Sequence, residues 1–264
     1  MIPAGVAGWP IAHSLSPLIH STWIEGAGLE ASYEAFGPED EAAFRSLVVQ
    51  GRDGRLAGLN VTAPYKALAL SLADEATPTA KACGSANLLV FREGRAFADS
   101  TDGLGFMQAL AEQAPDLDVA GRPVVILGAG GATRAAAVAL KSAEAEVGLL
   151  NRTRARAEAL ADELGVSVVE PEALENAVLI VNALSVQPDL DVARFADDAV
   201  LMDMTYRPLT TPFLAAGRAR SLRKVDGLAM LIGQARPSFE AIFGVPVPPV
   251  DIRRVVLDAL GETA

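Results

Sequence analysis

The sequence predicts an α/β protein built of two domains, and three observations carry that expectation. Short apolar runs alternate with helical patterns along nearly the whole chain. In the second half the runs are apolar throughout, as in Val124-Val125-Ile126-Leu127, the pattern of parallel strands covered on both faces. Gly128-Ala129-Gly130-Gly131-Ala132-Thr133 follows that strand directly and opens an alanine-rich helix.

Taken in order, strands are expected near residues 3–8, 31–36, 56–61, 86–91 and 95–98, with helices near 17–27, 39–50 and 64–73. Ser16-Pro17 reads as a helix start, because serine caps and proline fits the first helical position. A helix begins around Gly103. Beyond the Gly121-Arg122-Pro123 turn the pattern restarts, with strands at 124–127, 146–150, 178–182, 199–203 and 222–225. Helical segments at about 228–243 and 250–260 follow the last strand. This divides the chain into an N-terminal α/β domain over 1–102 and a second domain over 103–235, with a cleft between them; helices from about 236 to 264 pack back on the first.

The bulk properties narrow the function. The 264 residues carry a net charge of −11, so neither nucleic acid nor an anionic membrane is an expected partner. The single cysteine, Cys83, excludes an intrachain disulfide. There is no basic leader and no long apolar run, so a soluble cytoplasmic protein is expected, monomer or homodimer. His13 and His20 are the only histidines and have no clustered ligands beside them, so no metal site is expected.

Strand, glycine turn and helix together form the phosphate-binding unit of a Rossmann-type, doubly wound domain. Glycines permit a tight turn and close approach of a pyrophosphate to the positive end of a helix. Gly128, Ala129, Gly130, Gly131 and Ala132 are the expected contacts, although Thr133 stands where a third glycine or alanine is usual. The next strand ends in Asn151-Arg152-Thr153, where a carboxylate would mark NAD. Arg152 is there instead, with Arg154 and Arg156 after it and Arg134 in the facing helix. Arginine pairs with a 2′-phosphate, which points to NADP held by Asn151, Arg152, Thr153 and Arg156. The plainer alternative is a solvated helix start.

Three segments of the first domain hold polar residues that core packing would not choose: Gly8 to His20 with His13-Ser14-Leu15-Ser16-Pro17, Gly58-Leu59-Asn60-Val61-Thr62-Ala63-Pro64-Tyr65-Lys66, and Ser100-Thr101-Asp102-Gly103-Leu104-Gly105. With Gly84-Ser85-Ala86-Asn87, the glycine turn, Asn151-Arg152-Thr153, Asp203-Met204-Thr205-Tyr206-Arg207-Pro208 and Gly227 to Ala235, these elements resemble the shikimate dehydrogenase family over nearly the whole chain, in order. The resemblance implies NADP-linked, reversible oxidation of shikimate to 3-dehydroshikimate, in aromatic amino acid (chorismate) biosynthesis. It implies Lys66 and Asp102 as the catalytic pair. Ser14 and Ser16 would hold the substrate carboxylate with Tyr206 nearby; Asn60, Thr62, Asn87 and Gln234 would serve the ring hydroxyls; Gly227 would lie at the cofactor.

Residue chemistry agrees with those roles. A small acid with three hydroxyls calls for several neutral donors and acceptors. A lysine can hold and release the hydroxyl proton while the cofactor carries the hydride. Read alone, Lys66 is equally a first-turn surface lysine and Asp102 an N-cap. The chain departs from the family pattern at Ser100, at Leu88, at Phe243 and over the loop Asn182-Ala183-Leu184-Ser185-Val186-Gln187. These departures leave room for a quinate/shikimate or aminoshikimate paralogue. A non-catalytic nucleotide sensor is the competing reading from a different class.

Overall fold

The computed structural model describes residues 2–184 and 186–262, and the chain divides into two compact units, Met1–Thr101 with Gln234–Ala264, and Asp102–Gly233. The first unit runs β1 (Ile2–Ala7), α1 (Ser16–Gly26), β2 (Ala31–Phe36), α2 (Glu41–Arg52), β3 (Gly58–Val61), α3 (Lys66–Leu72), β4 (Glu75–Ala76), α4 (Pro78–Cys83), β5 (Leu88–Arg92) and β6 (Arg95–Asp99). Its sheet has the order β2-β1-β3-β5-β6-β4. β1 pairs parallel with β2 and β3, whereas β5 runs antiparallel to both β3 and β6. The β5–β6 hairpin turns on Glu93 and Gly94, both at positive φ (52° and 75°), the two-residue geometry whose twist matches the flanking strands.

Leu59, Leu89, Phe44 and Tyr65 fill one side of this sheet, and the Phe44 and Tyr65 rings stack at 4.8 Å. Ile19 and Trp23 of α1 are also fully buried, with Trp23 edge-on to Phe239 at 5.6 Å. Burying each such side chain stabilises the fold by roughly 1.5–3 kcal/mol. The start of α1 differs from expectation. Ser16 is the first helical residue, not the cap, and its N–H is accepted by the Ser14 hydroxyl at 3.3 Å. The N-cap position falls on Leu15, which offers no side-chain cap.

His20 sits in that apolar layer, its ring stacked on Tyr33 at 4.1 Å, and neither ring nitrogen has a hydrogen-bond partner among the described residues. Burial pushes its pKa from 6.5 down to about 3, so the folded imidazole is neutral. The unfolded chain binds a proton below 6.5 and the folded chain does not until about 3, so the stability is whole above 6.5 and is lost as the pH falls through that window. At pH 5 the expected loss is about 2 kcal/mol. Denaturant unfolding at pH 8 and pH 5 should show it in the wild type and not in His20→Leu; equal losses in both would rule out a buried neutral imidazole.

The second unit begins with α5 (Asp102–Gln113) and continues through β7 (Pro123–Leu127), α6 (Gly131–Ser142), β8 (Glu146–Leu150), α7 (Arg154–Leu164), β9 (Ser167–Val168), β10 (Leu179–Asn182), β11 (Val200–Asp203), α8 (Pro212–Ala219) and β12 (Arg223–Val225). The strands form an all-parallel sheet in the order β12-β11-β10-β7-β8-β9. Chain direction across the sheet reverses between β7 and β10, the switch point where doubly wound folds place ligands. Every residue of β10 and β11 is buried, the apolar runs Leu179-Ile180-Val181 and Val200-Leu201-Met202 together with the polar Asn182 and Asp203 that end them. α9 (Gly227–Phe243) leads out of this unit, and α10 (Ile252–Leu260) ends the described chain.

Two motif glycines are packing devices. A Cβ on Gly103 would stand 3.2 Å from the backbone oxygen of Ala135, so glycine brings α5 against the alanine face of α6. A Cβ on Gly233 would meet the Gly105 backbone at 3.0 Å, so the two glycines let α5 and α9 cross closely.

Candidate active site

In the first unit the polar residues collect where β1 and β3 end. A Cβ on Gly8 would lie 2.3 Å from Thr62 Cγ2, so glycine lets the two strand ends run side by side. The half-buried Thr62 accepts the Tyr65 N–H at 3.0 Å and closes the turn into α3. Tyr65 is locked by its own hydroxyl, which donates to the Pro38 carbonyl at 2.6 Å. Lys66 follows as the first residue of α3 and is half-buried, not a freely solvated lysine. Its carbonyl accepts the Ala86 N–H at 2.9 Å, which brings Lys66 next to Asn87. Ser14 is half-buried and Ser16 buried, beside an exposed His13.

Asn87 and Gln234 meet directly. Asn87 Nδ2 donates to Gln234 Oε1 at 3.2 Å and to Thr101 Oγ1 at 2.9 Å, while Asn87 Oδ1 accepts the Thr101 N–H at 2.7 Å. Asn60 is held differently. Its Oδ1 accepts the Tyr33 hydroxyl at 2.7 Å, and its Nδ2 donates to Ser238 Oγ at 2.9 Å and to the Asn87 carbonyl at 3.3 Å. Its carboxamide thus braces the site from within. Burial pushes the Tyr33 pKa well above its usual value, which keeps that hydroxyl a donor. Tyr33 and Ser238 escaped the sequence reading, and Thr101 was read only as part of its motif, with no role of its own. The available signal for Ser238 was its place one helical turn after Gln234.

In the second unit, Asp102 is buried as the first residue of α5 and lies inside the helix, not at its cap. Gly128 has φ +120°, a conformation that only glycine adopts comfortably, with Leu184 Cδ2 3.2 Å from where its Cβ would be. At Gly130 and Gly131 an added Cβ would meet nothing within 4 Å, so the N-terminus of α6 opens onto clear space between Ala129 and Ala132. Thr133, buried where a third glycine or alanine was expected, accepts the Gly130 N–H at 3.3 Å and so caps the turn.

The arginines expected near the end of β8, Arg134 of α6 among them, divide into two pairs. Arg134 is engaged by Glu163 at 2.6 Å, and Arg154 by Glu158 at 2.8 Å and by Glu170. Arg152 and Arg156 are exposed and have no ion-pair partner among the described residues. Asn151 Nδ2 donates to the Thr153 carbonyl at 2.9 Å, shaping the turn that presents them. An open helix N-terminus and two unpaired guanidinium groups fit a pyrophosphate and a 2′-phosphate.

The remaining expected residues lie around β11. Asp203 is fully buried and accepts from Asn182 Nδ2 (3.0 Å), Thr211 Oγ1 (2.7 Å) and the Thr205 N–H (2.9 Å), tying together the loops after β10 and β11. Tyr206 follows on that loop, and partial burial raises its pKa against the opposing pull of Arg207. A Cβ on Gly227 would come within 2.5 Å of the Met204 oxygen, so glycine is required there by backbone packing. In the altered loop Gln187 Oε1 accepts the Phe213 N–H of α8 at 3.1 Å, and Ser185 lies outside the described residues.

Two family models match this chain: one described as the shikimate dehydrogenase substrate binding domain, over residues 6–89, and one described as shikimate / quinate 5-dehydrogenase, over 109–186. A relative from Caulobacter vibrioides named shikimate dehydrogenase (NADP(+)) is 48% identical over 99% of this chain and 96% of its own length. The chain belongs to the shikimate dehydrogenase family. Among solved structures, the Thermus thermophilus shikimate 5-dehydrogenase in complex with NADP(H) and shikimate shares 37% identity at TM-score 0.90, covering 98% of this chain and all of that one. A quinate dehydrogenase from Corynebacterium glutamicum in complex with NAD is 27% identical at TM-score 0.87, over 98% and 99%. The two-domain α/β architecture is that of shikimate dehydrogenases, with a substrate domain followed by a Rossmann-type domain. No helix among the described residues is long and apolar enough to cross a membrane.

Proposed function

We propose that this chain is an oxidoreductase that interconverts shikimate and 3-dehydroshikimate with NADP, running as a reductase in aromatic amino acid biosynthesis. The observation that carries this reading is the buried hydrogen bond from Asn87 to Gln234, beside a turn in which the half-buried Lys66 holds the neighbouring Ala86 through its backbone carbonyl, in a chain that also carries the open glycine turn. A buried array of carboxamides and hydroxyls suits a polyhydroxylated ring and penalises analogues that leave it unpaired. NADP, when bound, supplies or accepts the hydride. Lys66 gives a proton to the ring oxygen in the reductive direction and takes it back in the oxidative one; Asp102 orients the ammonium group and bonds a neighbouring hydroxyl. Ser14 and Ser16 hold the carboxylate with the Tyr206 hydroxyl.

The reading requires a cleft between a substrate domain, residues 1–102 with 236–264, and a cofactor domain, residues 103–235. It places the enzyme in the cytoplasm, as a monomer or a homodimer. Quinate is the principal competing substrate, since one matching family model is described for both acids and a quinate dehydrogenase shares the fold. Steady-state rates on shikimate and quinate, each with NADP and NAD, decide the matter. The expected result is the highest kcat/KM with shikimate and NADP. A preference for quinate reassigns the substrate, and NADP binding without turnover of either acid makes the protein a nucleotide sensor.

A further inference from the structure

The polar group around Gln234 has a hub that the proposed reaction does not itself use. Ser238 is fully buried on α9, four residues after Gln234, and its hydroxyl donates to the Gln234 carbonyl at 3.0 Å. With its one hydrogen so placed, Ser238 Oγ can only accept from its other neighbours. It accepts from Asn60 Nδ2 at 2.9 Å, and Thr101 Oγ1 lies 3.2 Å away. Around this point the directions of the bonds are fixed. Tyr33 donates to Asn60 Oδ1, so Asn60 turns its amide hydrogens to Ser238 and to the Asn87 carbonyl. The Thr101 N–H holds Asn87 Oδ1, so Asn87 turns its amide to Gln234 Oε1. The oxygen end of Gln234 is therefore anchored in the protein, and its other end is a donor only.

Resting on the proposed function, we infer that Ser238 is a positioning residue for substrate recognition: it sets the hydrogen-bond polarity of the Asn60, Asn87 and Gln234 carboxamides, so that Gln234 meets a ring hydroxyl as a donor to its oxygen. Without the Ser238 hydroxyl, one amide hydrogen of Asn60 loses its acceptor in a buried place. The Thr101 hydroxyl loses its nearest acceptor and turns to Asn87 Oδ1, 3.3 Å away, or competes for Gln234 Oε1, 3.4 Å away. The carboxamides then lose their single arrangement, and discrimination for the hydroxyl goes with it.

Two nearly isosteric replacements separate polarity from packing. Ser238→Thr keeps a hydroxyl that can bond the carbonyl one turn back in a helix; Ser238→Val puts a methyl group in its place. Each variant and the wild type are assayed with NADP on shikimate and on an analogue lacking one ring hydroxyl, alongside thermal unfolding of the full chain. In Ser238→Val the kcat/KM ratio of shikimate to analogue should fall about tenfold, mostly through KM, while Ser238→Thr keeps the wild-type ratio and KM for NADP is unchanged in both. A ratio that stays at the wild-type value in Ser238→Val, or that falls equally in both variants, overturns the inference. Failure of the wild type to turn over shikimate overturns the proposed function instead, so the two failures are distinct.

Discussion

Replacing Lys66 with alanine should lower kcat for shikimate oxidation by a factor of about 10²–10⁴, the usual worth of a positioned proton-transfer group. KM for shikimate should change only a few-fold, because the proton moves mainly in the transition state and the ground-state complex keeps its hydroxyl and carboxylate contacts. The Thr62–Tyr65 turn closes on itself, the Tyr65 hydroxyl is pinned to the Pro38 carbonyl, and the Lys66 carbonyl accepts the N–H of Ala86, the residue before Asn87. The backbone of Lys66 is thereby fixed beside the polar group, so truncating its side chain should leave that frame in place. Lys66→Arg should not restore the rate, since a guanidinium group does not release its proton in this range and has a different shape. NADPH absorbance under saturating NADP gives kcat and KM together. A kcat in Lys66→Ala within threefold of the wild type would remove the residue from the mechanism.

How far the sequence disclosed this molecule depends on the length of the signal each element carries. β7, β10 and β11 were legible because a run of four or more apolar residues between turn and helix signals fits a sheet covered on both faces, whereas β12, Arg223-Lys224-Val225, shows no such run. The two-residue strands β4 and β9 were not, since two residues cannot display a period, and α4 is too short at six residues for an apolar face. The glycine turn was legible from its context, while Thr133 needed the structure: its hydroxyl caps a backbone N–H that a glycine or alanine would leave to other partners. Ser16 illustrates the opposite error. Serine before proline suggested a cap, but the helix starts at Ser16 itself, with Leu15 at the cap position and the Ser16 N–H accepted by the Ser14 hydroxyl.

The site divides in the same way. Residues in ordered motifs, such as Lys66, Asn87 and Gln234, announced themselves by resemblance; the structure adds that Lys66 is half-buried and Asp102 buried. Tyr33 and Ser238 could not announce themselves, because their partners are 27 and 178 residues away in sequence and no local pattern encodes such a pairing. The arginine cluster was legible as charge but not as allocation. Which arginine is spent on a neighbouring glutamate depends on helix packing, which only coordinates reveal.

That allocation yields the second large effect. Removing both Arg152 and Arg156 should raise KM for NADP by about 10²-fold or more, at roughly 1.5–3 kcal/mol for each charge-assisted hydrogen bond lost, reduced by solvent screening. The kcat/KM with NAD should stay within about threefold, since NAD has no 2′-phosphate to lose. Arg134→Ala and Arg154→Ala serve as controls. Those side chains are already held by Glu163 and by Glu158 with Glu170, so their removal should leave the cofactor preference intact. Salt offers an independent check: raising the ionic strength from about 0.05 to 0.5 M should weaken NADP in the wild type far more than NAD, and this gap should close in the double variant. In a chain of net charge −11, two unpaired arginines at the end of β8 are the local exception that an anionic cofactor needs. A wild type that prefers NAD, or a double variant that keeps the wild-type ratio of NADP to NAD, would show that these arginines are a solvated helix start and nothing more.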